Sequence, residues 1–169
     1  MTLLMFNHAH DGHLVLTDTL ATSAAGQPHL FQTKCWPLPH LNMVMVGTGS
    51  GNLFEAWYRT LQTSMLVRDI DNLDFHAPRV LRDLWDRVQS DHGSQVGTST
   101  VYHFGFSSHG VAIRYVYRST NNFESELADE PGFGVKPQPL GPFDPPGTFE
   151  DFVELAKMIR HEQDALPPP

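Results

Sequence analysis

One cysteine, Cys35, stands in 169 residues. A single thiol excludes an internal disulfide framework and any zinc site built on several cysteines, and it suits a reducing compartment. Positive charge is also scarce: 11 Lys+Arg face 19 Asp+Glu, a net charge of −8 with pI near 5.6. Phosphate backbones and anionic lipid surfaces are both bound by basic faces, so this balance predicts neither a nucleic-acid partner nor a membrane partner. No apolar run approaches the roughly 18 residues of a membrane span. The Leu3–Phe6 run has no basic flank and no small-residue cleavage site, which predicts no signal peptide and a cytoplasmic location. Repeats and low-complexity tracts are missing as well. What is present suffices for a core: 40% hydrophobic and 11% aromatic residues in a chain of one-domain size. Residues 1–166 are expected to form a single domain, with Pro167–Pro169 a disordered tail.

Local patterning predicts strands first. Thr2–His10 and Leu14–Leu16 flank Asp11–Gly12, a strong hairpin-turn signal. A polar break over Ser23–Pro28 follows. Met43–Val46 is a short continuous apolar run, as in a strand buried on both faces, and a turn at Pro37–His40 pairs it with the preceding segment. The run ends in Gly47–Gly51. Ser50 or Asn52 then caps a helix carrying Phe54, Trp57, Leu61 and Met65 at steps of three and four. A second helix is expected from Pro78, a residue suited to a first turn, with Val80, Leu81, Leu84, Trp85 and Val88 as its stripe and Gly93 as its stop. Thr98–Phe106 and Val111–Tyr117 read as a hairpin around Ser107–Gly110, with Phe104, Phe106, Tyr115 and Tyr117 pairing across it. Phe123–Leu127 adds a short strand, and the Pro- and Gly-rich Pro131–Gly147 reads as a surface loop. Thr148 and Asp151 form a capping box for a last helix whose apolar face holds Phe149, Phe152, Val153, Ala156 and Ile159. Strands grouped in hairpins, with helices grouped between them, predict an α+β domain of antiparallel sheets, layered α-β-β-α.

One chemical constellation begins at the N-terminus. Removal of Met1 would expose Thr2, whose hydroxyl and α-amine place nucleophile and base in one residue. An α-amine titrates near pH 8, so it serves as a base at neutral pH where a lysine amine does not. Such a site also needs a buried cation, an acid to hold that cation, and backbone N–H donors for an oxyanion. Lys34, the only lysine before Lys136, lies in an apolar stretch. Asp18 ends the second strand. Gly47-Thr48-Gly49 closes a buried strand and opens a helix, so its amides are candidates for holding an anion.

These residues together resemble the proteasome-type N-terminal-nucleophile hydrolases, including proteasome β-type subunits and the bacterial two-component proteasome-like peptidase. The register matches proteasome β-type subunits without a gap from Thr2 through Asp11-Gly12, Leu14-Val15-Leu16, Asp18 and Ala21-Thr22 to Lys34. One residue is missing in the Pro37–Leu41 turn, and Val46-Gly47-Thr48-Gly49 falls where the family has its oxyanion glycine. The motifs cover roughly residues 2–66; beyond them only the order of elements is shared. The resemblance implies a four-layer sandwich of two antiparallel sheets and amide-bond hydrolysis through an acyl-enzyme ester. It assigns Thr2 as nucleophile and base, Lys34 as the group lowering the amine's proton affinity, and Asp18 as the holder of Lys34. Gly47 would be the oxyanion donor, with Gly49 as its substitute and a substrate contact. It further implies a ring or stacked homo-oligomer, a peptide or amide substrate, room for an ATPase partner, and no cofactor or metal. Leu3 stands where many members have a second threonine. The family's supporting Ser and Asp from the second half have no fixed match, with Ser119, Ser125 and Asp129 as candidates. A catalytically inactive scaffold or interaction protein is therefore the alternative, and a metal-binding hydrolase built on His8, His10 and His13 is a third reading.

Two further features are weighed. His8-Ala9-His10-Asp11-Gly12-His13 is similar to the HxHxDH zinc motif of metallo-β-lactamase-type hydrolases, but its acid stands fourth rather than fifth. Alternation along a strand would put His8 and His10 on one face, as a two-ligand site or as solvated hairpin-end residues. Cys35 lacks a local His or Asn signal and reads as a small buried hydrophobe.

Overall fold

The computed structural model describes residues 2–22, 27–64, 66–92 and 97–165. Met1, Ser23–Gly26, Met65, Gly93 and Pro167–Pro169, all used above, lie outside the described residues.

The chain opens with β1 (Leu4–Ala9) and β2 (Gly12–Thr17), paired antiparallel with Ala9 opposite Gly12. The turn is therefore His10–Asp11, one residue earlier than Asp11–Gly12. Two short strands follow, β3 (Leu20–Thr22) and β4 (Pro28–Phe31), which pair with each other. Pro28, the last residue of the expected polar break, is the first residue of β4, and patterning missed this pair of strands. Then come β5 (Cys35–Leu38) and β6 (Met43–Thr48), joined through a single 3-10 turn at Pro39–Leu41.

Helix α1 (Gly51–Thr63) starts at Ser50, whose hydroxyl accepts the Leu53 N–H as an N-cap. Helix α2 (Ile70–His92) starts eight residues before Pro78. The expected start at Pro78 is corrected by Asp69, whose carboxylate takes the Asn72 N–H at 2.8 Å and caps a helix that carries Pro78 in its interior. Pro78 still accepts through its carbonyl from Arg82 Nε at 3.1 Å.

The next pair, β7 (Thr100–Phe106) and β8 (Ala112–Arg118), joins β6 and a short β9 (Ser125–Ala128) in a five-stranded antiparallel sheet ordered β5-β6-β7-β8-β9. The expected cross-strand aromatic pairs do not form. Phe104 faces Arg114, Phe106 faces Ala112, and Tyr115 and Tyr117 face His103 and Val101. Each aromatic packs off the sheet face instead, as with Phe104 against Phe6 of β1 at 5.2 Å between ring centroids.

The main departure is β10 (Gly132–Lys136). The segment read as loop is a strand that pairs with β1 over its whole length, Leu4 opposite Lys136 and His8 opposite Gly132. The three-stranded sheet is therefore ordered β10-β1-β2. One of its two glycines follows from packing: a Cβ at Gly134 would overlap the Phe6 ring. Helix α3 (Phe149–Ala165) has the expected capping box, with Thr148 N–H donating to Asp151 at 2.9 Å and Asp151 N–H donating to Thr148 Oγ1 at 3.2 Å. Phe149 does not join its apolar face; it is exposed, and Phe152, Leu155 and Ile159 carry the burial.

Alternation sorts these strands into three buried clusters. Met5 and Val135 pack with Phe152, Leu155 and Ile159 of α3. Leu4 and Phe6 pack with Val46, Tyr102, Phe104 and Val116 of the five-stranded sheet. The opposite side chains of that sheet, among them Met45, Val101, Tyr115 and Tyr117, pack with Leu53, Trp57, Leu81 and Trp85 of α1 and α2. Adjacent residues of one strand thus serve different clusters, which is the period-two rule with both faces dry.

Candidate active site

The β1–β2 register places Leu4 opposite Thr17, so Leu3 and Asp18 meet just beyond the paired region. They bond twice: Asp18 N–H donates to the Leu3 carbonyl at 3.1 Å, and Leu3 N–H donates to Asp18 Oδ1 at 2.9 Å. The Asp18 carboxylate is thereby fixed against the peptide bond that joins Thr2 to Leu3.

Lys34 arrives from the other side. Gln32 N–H donates to the Thr19 carbonyl at 2.8 Å, which ties the approach to β5 onto the segment after β2. Two residues later, Lys34 Nζ donates to Asp18 Oδ1 at 2.8 Å and to the Leu20 carbonyl at 2.5 Å. Lys34 is only 5% exposed. A buried ammonium persists only when it is paired and hydrogen-bonded, and these two acceptors meet that need. Since the same Oδ1 holds both Leu3 N–H and Lys34 Nζ, the cation lies within two hydrogen-bond lengths of the Leu3 amide, one peptide from Thr2.

Thr2 opens onto a cleft of about 530 Å³. Thr48, Gly49 and Thr98 form part of its wall, and Lys136, Pro137 and Gln138, at and after the end of β10, form another part. Gly49 has φ +115°, a left-handed backbone that favours glycine, and an added Cβ would press on the Thr98 carbonyl and Ser99. Beside it, Ser50 N–H donates to Ser99 Oγ, and Ser99 N–H donates to Ser119 Oγ, both at 2.9 Å. The strand-to-helix loop at Gly49–Ser50 is thus braced by Ser99, just before β7, and through it by Ser119. Gly47 lies inside β6, where a Cβ would overlap the Phe54 ring; Thr48 and Gly49, next along the chain, reach the cleft.

The remaining candidates are placed elsewhere. Ser119 acts through Ser99. Ser125 Oγ donates to Asp74, and the Asp129 carbonyl accepts from His8 Nε2 at 3.2 Å. None of the three lines the cleft. Cys35 is half-buried, and burial raises its thiol pKa, so it is no thiolate nucleophile.

The histidines group differently from the expectation. β1 ends at Ala9, so strand alternation does not carry His8 to His10. The partner of His8 is His13, directly opposite across the hairpin, with Nδ1–Nδ1 3.0 Å and rings near parallel. Each Nε2 meets a backbone carbonyl, Asp129 for His8 and Gly105 for His13. A carbonyl only accepts, so both Nε2 atoms donate and neither keeps a lone pair for a metal. Burial lowers the pKa of His13; its hydrogen bond to the Gly105 carbonyl acts the other way, and the neighbouring His8 and Arg114 side chains add to the lowering. The pair fastens the first hairpin to β7 and to the segment before β10. Among the described residues no group of three or more His, Cys, Asp or Glu is arranged to hold a metal ion.

Lys136, Thr98 and Gln138 are the cleft residues that patterning missed. Lys136 and Gln138 reach Thr2 through the β1–β10 pairing, in which Leu4 lies opposite Lys136, more than 130 residues later; Thr98 reaches the cleft from the segment before β7.

No protein-family model matches the sequence, and no curated protein matches it. Solved structures do. Anbu from Hyphomicrobium sp. strain MC1 superposes with a TM-score of 0.55 at 15% identity, over 82% of this chain and 61% of the Anbu chain. A Gly-1 mutant of Anbu from the same strain gives 0.54 at 16% identity, over 80% and 60%. Anbu is a proteasome-like bacterial protein of N-terminal-nucleophile hydrolase fold, and the likeness shows that fold here. The chain spans about three fifths of the length of the Anbu chains it matches.

Proposed function

We propose that this chain is a proteasome-like N-terminal threonine hydrolase that cleaves peptide or other amide bonds through an acyl-enzyme ester. The observation that carries the reading is the single oxygen, Asp18 Oδ1, holding both the buried Lys34 ammonium and the backbone amide next to Thr2. With Met1 removed, the Thr2 amine takes the proton of its own hydroxyl as Oγ1 attacks the substrate carbonyl carbon. Lys34 disfavours a second cation beside it and so keeps that amine in its neutral, basic form. Two of its three N–H donors meet Asp18 and Leu20; the third would serve the Thr2 hydroxyl. Backbone N–H groups of the Gly47–Gly49 strand end would hold the oxyanion, Gly47 as the resemblance has it and Gly49 from its position on the cleft. Collapse of the tetrahedral intermediate sends the amine's proton to the leaving nitrogen and leaves an ester on Thr2. A water, deprotonated by the same amine, then releases the acid and restores the threonine.

The same reading includes the four-layer α-β-β-α sandwich, which the three clusters support, with α3 on one sheet and α1 and α2 on the other. It also includes a homo-oligomeric ring or stack, with room for an ATPase partner. The test is labelling by a threonine-directed epoxyketone. Wild type is expected to gain one adduct and Thr2→Ala none; equal labelling of both would end the proposal. A silent scaffold of the same fold is the second reading, favoured by the location of Ser119, Ser125 and Asp129 away from the cleft. It predicts retained Met1, no adduct, and a stable oligomer by light scattering.

A further inference from the structure

The cleft beside Thr2 has an electrostatic character opposite to that of the whole protein. The chain carries a net −8, yet among the described residues lining the cleft there is no Asp or Glu, and Lys136 is the one charged side chain. Lys136 ends β10 opposite Leu4, which places it two residues along the pair from Thr2. Its ammonium meets Thr100 Oγ1 at a long 3.4 Å and stands over the Tyr102 ring at 5.7 Å from the centroid. Thr100 pairs with Thr48, a cleft-wall residue, so the ammonium is held at the cleft wall. Neither contact is a carboxylate. Every ion pair found among the described residues leaves Lys136 out. An ammonium has three donors, and one long hydrogen bond uses only one of them. Lys34 is neutralised by Asp18; Lys136 is not neutralised by any described residue of its own wall.

From this we infer that the cleft selects substrates carrying a carboxylate close to the bond to be cut, with Lys136 as its counter-ion and Thr98 and Gln138 as neutral hydrogen-bonding neighbours. The inference rests on the cleft being the substrate site of the hydrolase proposed above, and it adds the substrate class. Because the protein as a whole repels anions, the selectivity comes from this local pairing and not from long-range steering. The carboxylate has two sources, an acidic side chain or the free C-terminus of a peptide, and both present the same group to Lys136.

Equilibrium binding to the Thr2→Ala protein separates this inference from turnover. Three fluorescent peptides of one sequence serve as probes: a C-terminally amidated peptide with Gln at the central position, its Glu counterpart, and the Gln peptide with a free C-terminus. A carboxylate is expected to tighten binding about tenfold, equivalent to about 1.4 kcal/mol. The arm that gains identifies the source. Adding Lys136→Gln should remove the gain, Lys136→Glu should invert it, and Lys136→Arg should keep it, with circular dichroism confirming the fold of each. Equal binding of all three peptides to the Thr2→Ala protein overturns the inference without any Lys136 variant. So does a carboxylate gain that survives Lys136→Gln, and so does failure of every peptide to bind. An epoxyketone adduct alongside equal peptide binding would leave the hydrolase standing and remove only the substrate class.

Discussion

Lys34 and Leu3 share one acceptor: Nζ of the first and the backbone N–H of the second both donate to Oδ1 of Asp18, at 2.8 and 2.9 Å. This contact joins three separate stretches of chain, and it brings a cation to the start of the polypeptide in a place water barely reaches. A solubility charge would not be 5% exposed. The arrangement makes structural and chemical demands on the same residues, and substitutions separate the two.

Asp18→Ala leaves the Lys34 ammonium buried with only the Leu20 carbonyl. Losing one partner of such a pair is expected to cost about 3 kcal/mol, read as a lowered urea midpoint. Lys34→Met replaces the cation with an apolar chain of similar length and should cost clearly less stability, yet it should abolish epoxyketone labelling. If Lys34→Met folds and labels at the wild-type rate, Lys34 has no part in the chemistry.

Two glycines of β10 give a contrast in packing. A Cβ at Gly132 meets nothing within 4 Å, whereas at Gly134 it would overlap the Phe6 ring. Gly132→Ala should leave thermal stability almost unchanged. Gly134→Ala should lose about 2 kcal/mol, in the range of overpacked cores, and Phe6→Leu in the same chain should return part of it. Equal effects of the two alanines would contradict the β1–β10 register.

His103 predicts an acid response. It is fully buried, and Trp57 Nε1 donates to its Nε2 at 3.0 Å. Indole is only a donor, so the neutral ring carries its proton on Nδ1, which has no partner among the described residues. Burial lowers its pKa to about 3. The unfolded chain takes up this proton below pH about 6.5, and the native state refuses it until about pH 3. Stability therefore falls as pH falls through that window, by up to about 1.4 kcal/mol per pH unit from this group. His103→Gln keeps an acceptor for Trp57 and removes the titration. Urea midpoints at pH 7, 5.5 and 4.5 should show the variant less stable at pH 7, with the gap narrowing as the pH is lowered. A gap that stays constant would mean that His103 takes up its proton in the folded protein as readily as in the unfolded chain.

Much of the fold is written in local pattern. Met43–Val46 reads as a strand with two dry faces because β6 lies between helices and the other sheet, and Ser50 reads as a cap because its hydroxyl meets Leu53 N–H. The errors arise where distant contacts decide. Residues 132–136 look like loop because glycine and proline surround them; only the Phe6 ring, more than 120 residues earlier, explains Gly134. Pro78 looks like a helix start because proline suits a first turn, but Asp69 had already capped the helix. The site divides the same way. Asp18 and Lys34 stand out locally, the lysine through its isolation in an apolar stretch. Lys136 carries no local signal, since it reaches Thr2 only by pairing with β1. The His8–His13 contact was hidden by a one-residue error in the turn, which shifts every partner across the hairpin.

The central claim is a free threonine amine beside the Lys34 cation, and the mature N-terminus tests it most directly. Intact mass and Edman sequencing of the protein purified without a tag should show a chain short of one methionine that begins at Thr2. A chain that keeps Met1 would have an amide where the base must be, and would contradict the account.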